Sequence, residues 1–378
     1  MSVLTIISHT EHYRNGNGEI VGLGSTVTEI NNLLEIFDEI IHVAMLHDSE
    51  PPPSAMPYIS NKIKFRALPA VGGSKITDKF SLILKAPLVL KIIKNALKNT
   101  DYFQFRAPTG IGVFVIPYLI LFSSKKGWFK YAGNWKQEHA PIAYRFQRWL
   151  LKNQRRKVTI NGMWDHQPKQ CLTFENPCLT SEELKLGKEI SGKKSIKNTG
   201  VNLCFVGRLE KEKGLDLLLD TLFSLGASEK SQLNTIHIVG HGKHIEDYKK
   251  RTVDSGLNFV FHGWLSRKAV HNIYSQSHAI VLPSASEGFP KVIAEAMNYA
   301  CLPIVSHVSS IGQYVKDEVN GFTFYPITDE NLVVNIRKLL ELTEVDFSKM
   351  KNAQSEALKK FTFSYYNKRI LNEIIELR

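Results

Sequence analysis

The sequence predicts an α/β protein of two domains, each a parallel sheet covered by helices, and three observations predict it. Short apolar runs alternate along the chain with longer segments of helical apolar spacing, the rhythm of parallel sheets with crossover helices. A chain of 378 residues is long for one core and suits two domains that each bury a real interior. Its apolar content of 43% and charged content of 22% are those of ordinary globular proteins, which excludes wholesale disorder.

Taken in order, residues 3–8 begin a first strand, a loop rich in Asn and Gly follows, and residues 25–37 have helical spacing. Residues 40–44 resume as strand before the breaker-rich HDSEPPPSAMP, and residues 75–99 then mix apolar with basic side chains. The strand-like DYFQF, the turn at 106–110 and the apolar GIGVFVIPYLILF form a β-loop-α unit. That apolar run has thirteen residues, including two Gly and one Pro. A bilayer span needs ~20, so the run reads as a buried helix. WFKYAG is the next strand, a helix covers 143–151, and residues 159–162 and 171–174 are late strands. Residues 176–199 are polar and basic without a sustained apolar period and read as a linker. The domains are therefore expected at 1–175 and 200–360, with 361–378 a terminal helix.

The densest information lies in VLPSASEGFPKVIAEAMNYA, residues 281–300. An apolar strand ends at Pro283, and a small-residue loop carries Glu287, Gly288, Phe289 and Pro290 to a helix start. Gly288 lets a ligand approach the backbone, and Pro290 at the first helical position gives up an N–H that would lack an intrahelical partner. The remaining N–H groups and the positive end of the helix dipole form a seat for phosphate. Glu295 follows Glu287 by eight residues, a little over two helical turns, so one carboxylate sits at the helix mouth and the other deeper along it. Glutamates at helix starts also occur simply to offset the dipole. A second motif upstream favours a ligand: the strand pattern NLCFV runs into GRLEKEKG and then the helix-like LDLLLDTLFSL. Arg208 and, five residues on, Lys213 thereby stand at a strand's carboxyl end, where open α/β sheets bind ligands. A planar guanidinium beside a point-charge ammonium suits a diphosphate, and the carboxylates suit hydroxyl-rich groups on either side of it. A nucleotide sugar has that shape.

The order FVGRLEKEKG, IVGHG, FHGWL, LPSASEGFPKVIAEAM and NGFTF resembles the carboxyl-terminal domain of retaining glycosyltransferases of family four, strongly over residues 200–325 and in outline before that. The resemblance implies the GT-B fold: two facing Rossmann-like domains with parallel sheets and an interdomain cleft, acceptor domain first, nucleotide-sugar domain second, the terminal helix crossing back onto the first. It implies a hexosyltransferase that retains anomeric configuration and extends a glycan, most often lipid-linked, in bacterial cell-surface polysaccharide synthesis. By motif position Arg208 and Lys213 would hold the donor diphosphate, Glu287 would touch the donor sugar, Gly288 and Phe289 would lie along the donor, and Glu295 would bind the ribose hydroxyls. Many relatives place a histidine from the first domain near the anomeric carbon. His139, the nearest histidine after WFKYAG, stands several residues late for that role, and a surface or capping position before the next helix accounts for it equally well. Gly24, in Gly22-Leu23-Gly24-Ser25, resembles the family's glycine loop; residues 15–18, Asn-Gly-Asn-Gly, offer another, and either can be a plain turn.

No Asp-x-Asp triplet and no His-Glu-x-x-His pattern occurs, so neither a metal nor a cofactor is expected, and cations with helix N–H groups would neutralise the leaving diphosphate. Residues 1–175 hold 22 Lys plus Arg against 13 Asp plus Glu, so +9 of the net charge of +12 falls in that half. Within it Lys75, Lys79, Lys85, Lys91, Lys94 and Lys98 alternate with apolar residues, a pattern that fits either an anionic membrane surface or the solvated face of an ordinary helix. The start, MSVLTIISHT, lacks the basic and apolar regions of a secretory signal, and the four cysteines have no metal-ligand spacing; both fit a cytoplasmic protein with reduced thiols. Two other functions share parts of the pattern. A basic nucleic-acid-binding or nucleotide-binding protein without transferase activity would account for the charge, but no nucleic-acid recognition signature accompanies it. An NAD(P)-dependent oxidoreductase would need a third glycine, which residues 21–26 lack.

Overall fold

The structure is a computed structural model and describes residues 2–72, 81–196 and 200–375. Lys75, Lys79 and residue Phe80 of the basic run lie outside the described residues. Contacts divide the chain into two compact units, Met1–Asn176 with Tyr365–Arg378, and Pro177–Ser364.

The first unit runs β1 Val3–Arg14, β2 Ile20–Leu23, α1 Gly24–Leu33, β3 Glu39–Leu46, β4 Ala55–Pro57, β5 Ile63–Pro69, α2 Ala86–Ala96, β6 Tyr102–Ala107, α3 Gly112–Phe122, β7 Lys126–Tyr131, α4 Ile142–Lys152, β8 Val158–Ile160 and β9 Cys171–Thr173. Its main sheet is parallel in the order β5-β3-β1-β6-β7-β8-β9. β1 extends past the expected strand to Arg14 because its polar end turns to pair antiparallel with β2, after a register shift opposite β3 between Ile7 and Glu11. The strand period of two sends Ile7, Phe103 and Phe105 to one face, under α2, α3 and α4, and Leu4, Ile6 and Trp128 to the other, under α1 and the terminal segment. On that second face Glu29 of α1 takes both Arg106 at 2.9 Å and Lys130 at 2.6 Å, and the Lys130 ammonium lies 4.8 Å from the centre of the Tyr366 ring. Arg369 stacks 4.0 Å over Phe174 and reaches Glu175 at 3.2 Å, so the chain end is docked by cation–π and ionic contacts.

The second unit starts with α5 Ser181–Lys193, followed by β10 Val201–Val206, α6 Leu215–Ser224, β11 Leu233–Val239, α7 Ile245–Thr252, β12 Phe259–Gly263, α8 Arg267–Gln276, β13 Ala279–Leu282, α9 Lys291–Met297, β14 Leu302–Ser306, β15 Phe322–Phe324, α10 Asp329–Leu340 and α11 Glu344–Leu358. All five strand pairings are parallel, in the order β12-β11-β10-β13-β14-β15. This is the doubly wound order in which the winding direction reverses between the first and fourth strands, here β10 and β13. Both units thus have the Rossmann-like, parallel α/β build the sequence predicts.

The stretch read as a linker contains α5. Thr180 and Glu183 close a capping box at its start. Its apolar period is sparse, Leu184 and Ile190 flanking a glycine that makes the close contact: Asn298 donates to the Glu183 carbonyl at 2.8 Å, and a Cβ on Gly187 would stand 2.3 Å from Asn298 Nδ2. Among the described residues no helix is long and apolar enough to cross a membrane, and α3, the apolar run with Pro117 inside it, is eleven residues long.

Candidate active site

The reversal between β10 and β13 opens a crevice at the strands' carboxyl ends, and the two motifs meet there. The chain leaves β10 through Arg208, makes a single 3-10 turn over Lys211–Lys213, and enters α6 through Gly214. Gly214 has φ of 78°, and a Cβ on it would lie 2.3 Å from the Pro283 carbonyl, so only glycine lets this loop press against the loop after β13. The Ala285 amide donates to the Glu212 carbonyl at 2.9 Å and fastens the two loops. The consequence is an ion pair: the Lys213 ammonium donates to the Glu287 carboxylate, with the side chains 22% and 10% exposed. A cation and a carboxylate at one strand edge can hold a diphosphate and orient hydroxyls next to it.

α9 starts with Pro290 as its N-cap rather than its first helical residue, so the first helical N–H groups belong to Lys291 and its successors. Glu295 is buried one turn and more along it, at 8% exposure. Its Oε1 accepts from Arg267 Nη1 at 2.8 Å, and its Oε2 is 3.4 Å from the Tyr274 hydroxyl. Arg267 also donates from Nε and Nη2 to the two Glu183 oxygens, each at 2.8 Å, and from Nη2 to the Cys178 carbonyl. Burial by itself would raise the Glu183 carboxyl; the Arg267 hydrogen bonds and charge win and hold it below its ordinary range. His271 alongside is kept neutral, burial lowering it most.

Residues 188–360 match the family of glycosyl transferases group 1. The matched stretch falls within the second unit. The chain is 27% identical over 175 residues to an uncharacterized 41.2 kDa protein in the cps region of Klebsiella pneumoniae, a match covering 46% of this chain and 44% of that one. It is 25% identical over 177 residues to a lipopolysaccharide 1,2-N-acetylglucosaminetransferase of Salmonella typhimurium, covering 44% of each. The chain spans less than half the length of these curated relatives. Over its whole length it shares the fold of Anabaena HepE in complex with UDP, a solved structure with a TM-score of 0.71, 17% identity and 100% coverage of both chains.

Within the second unit the structure brings together Lys213 and Glu287 and sets Gly288 beside them, its carbonyl held at 2.6 Å by the Ser310 hydroxyl. Arg208 stands apart, 64% exposed and paired with Glu210 at 3.0 Å. The Phe289 ring is packed in the core: it is 4% exposed, stacked at 4.6 Å on Phe361 and packed edge-on against Tyr314 at 4.9 Å, while its backbone follows Gly288. Arg267, Tyr274 and Glu183 were missed by sequence reasoning. Their only signal was charge at two helix starts, which carries no information about a partner 84 residues away.

In the other unit His139 lies exposed on the turn before α4. Gly24 is needed by its own unit, since a Cβ there would meet the Ser54 carbonyl at 3.0 Å and Met56 Sδ at 3.1 Å. Midway along β1, two residues past the last pair with β6 at Ile7, the imidazole belongs to His9. Burial lowers its pKa, and its Nε2 has no hydrogen-bond partner among the described residues. Deeper in, Ser8, His42, Tyr58 and His12 form a chain of hydrogen bonds of 2.8, 2.6 and 2.9 Å. Burial keeps both its histidines neutral, His12 lowered to about 4. The histidines at positions 9 and 12 of the first strand were the available sign of this cluster.

Proposed function

We propose that the protein is a retaining hexosyltransferase that moves a hexose or related sugar from a nucleoside diphosphate sugar to a glycan acceptor, lipid-linked, in bacterial cell-surface polysaccharide synthesis. The observation that carries this is the Lys213–Glu287 pair at the reversal of the sheet, with Glu295 buried further along the following helix. The cps-region relative, the lipopolysaccharide N-acetylglucosaminetransferase and the UDP held by HepE support a nucleotide-sugar donor and a surface glycan acceptor.

In the reaction the bond from the sugar's anomeric carbon to the phosphate oxygen breaks and its electron pair stays on the phosphate. The acceptor oxygen bonds that carbon on the same face, and its proton passes to the departing phosphate. Negative charge grows on the diphosphate as it leaves, so a preorganised cation stabilises the transition state more than the ground state. Lys213 supplies that charge, with Arg208 swinging in from its exposed position. Glu287 orients the sugar hydroxyls and is not a nucleophile. The cations do this without a metal. Calorimetry with UDP-, GDP- and ADP-sugars in the presence of chelator tests the donor: one class should bind metal-free, and binding only with added divalent metal refutes the account.

The enzyme works at the inner face of the plasma membrane. α2, α3 and α4 cover one face of the first unit's sheet; their outer surface exposes Leu88, Leu121, Phe122, Phe146 and Trp149, and Leu84 is exposed just before α2. Lys85, Lys91, Lys94, Lys98, Arg145 and Lys152 lie among them, and residues 81–100 and 102–137 contain no Asp or Glu. A basic, apolar and acid-free layer matches anionic lipid headgroups.

A further inference from the structure

We propose that Arg267 and Glu183 are positioning residues for Glu295, and that through it they set how the enzyme reads the ribose of its donor. The inference rests on the reading of Glu295 as the ribose-binding carboxylate and names two residues that neither the motif nor the family resemblance assigns.

Glu295 is a buried carboxylate and the fifth residue of a seven-residue helix, past the first turn where the dipole favours negative charge. A carboxylate so placed keeps its charge only with a cation and hydrogen bonds. Arg267 supplies both, and it is fixed from behind. Of its five N–H groups four are donated: one to Glu295, two to the paired oxygens of Glu183, one to the Cys178 carbonyl. The fork is planar, so binding both Glu183 oxygens fixes the plane in which Nη1 points at Glu295. The Tyr274 hydroxyl approaches the second Glu295 oxygen. The carboxylate is thereby locked in one rotamer, and its remaining lone pairs can only accept. A vicinal diol offers two donors, and a 2′-deoxyribose offers one fewer.

Glu183 belongs to α5, in the stretch the sequence marks as a linker. The donor-binding geometry of the second unit therefore includes its first helix. Loss of Glu183 leaves Arg267 free to rotate and Glu295 without a fixed partner.

The test is calorimetry on the full chain with UDP, GDP and ADP, each against its 2′-deoxy counterpart, and with inorganic pyrophosphate as a probe of the phosphate seat alone. The unaltered protein should prefer the ribonucleotide by roughly 10- to 100-fold. Arg267→Met should abolish most of that preference and Glu183→Gln should reduce it, both with pyrophosphate binding unchanged. Arg267→Lys, which keeps the charge without the fork, should rescue affinity better than preference. If the unaltered protein does not distinguish ribose from deoxyribose, or binds none of the three, the ribose role of Glu295 is wrong. If it does distinguish them and both variants keep the full preference, the positioning roles are wrong while Glu295 stands. If both variants also lose pyrophosphate, the pair supports the domain as a whole and the proposal falls.

Discussion

Replacing Glu287 by Gln should tighten nucleoside diphosphate binding while slowing transfer. In the free domain the Lys213 ammonium rests on the Glu287 carboxylate, with side chains 22% and 10% exposed. At an effective dielectric near 20 two unit charges ~4 Å apart attract by about 4 kcal/mol. Desolvation and residual exposure cancel most of this, leaving on the order of 1–2 kcal/mol. A diphosphate arriving at Lys213 must share the ammonium with that carboxylate. Glu287→Gln keeps the shape, removes the negative charge and returns the difference to the ligand, roughly a five- to thirtyfold gain in UDP affinity. Turnover moves the other way. Gln offers the sugar hydroxyls no charged acceptor, and losing one preorganised electrostatic contact costs about 2.7–4 kcal/mol, or 10²–10³ in kcat. Lys213→Ala should lower turnover by the same order and weaken UDP as well, because Glu287 then faces the diphosphate unneutralised. Calorimetry with UDP and initial rates on the confirmed donor measure both. UDP binding no tighter in Glu287→Gln, or near-normal turnover in Lys213→Ala, would refute the roles given to this pair.

Gly214→Ala should lose UDP binding and lower stability by more than about 2 kcal/mol, because a Cβ adds left-handed strain and meets the Pro283 carbonyl at 2.3 Å; an unchanged melting temperature would count against the loop packing. Stability should also fall with acidity. Burial lowers His12 from 6.5 to about 4, so the unfolded chain takes up a proton that the folded one refuses. The contribution is full above pH 6.5 and is lost as pH drops towards 4, roughly 3 kcal/mol from this residue; urea melts at stepped pH should show it, and His12→Gln should flatten the slope. Phe146→Ser with Trp149→Ser should reduce co-sedimentation with anionic vesicles, and Lys85, Lys91, Lys94 and Lys98 changed to Gln should do the same, both with UDP binding intact. Equal partitioning onto neutral and anionic vesicles would favour a soluble acceptor away from any membrane.

Much of this protein was legible in the order of its residues. Strands such as Val201–Val206 and Tyr102–Ala107 announce themselves because local apolar period and glycine breakers decide them within a few residues. Arg208, Lys213, Glu287 and Glu295 stood out for the same reason: motif residues sit at strand ends and helix starts, and those are local features. Other readings shifted on folding. The Phe289 ring was placed by contacts the sequence does not show, between Phe361 and Tyr314 in the core. Residues 181–193 became a helix whose packed face is Leu184, Gly187 and Ile190, a stripe of two apolar side chains about a glycine that is too sparse to stand out in the sequence.

By itself the sequence determined the parallel α/β class, the strand-loop-helix units and the two charged motifs, because each depends on neighbours a few positions apart. Only the tertiary structure decided which charges meet. The reversal between β10 and β13 brought Lys213 onto Glu287 across 74 residues and left Arg208 with Glu210. The same folding put Arg267 between Glu183 and Glu295, 84 and 28 residues away. A buried carboxylate must find a cation somewhere, and sequence spacing does not encode which one, since the choice is made by sheet order and helix packing at long range.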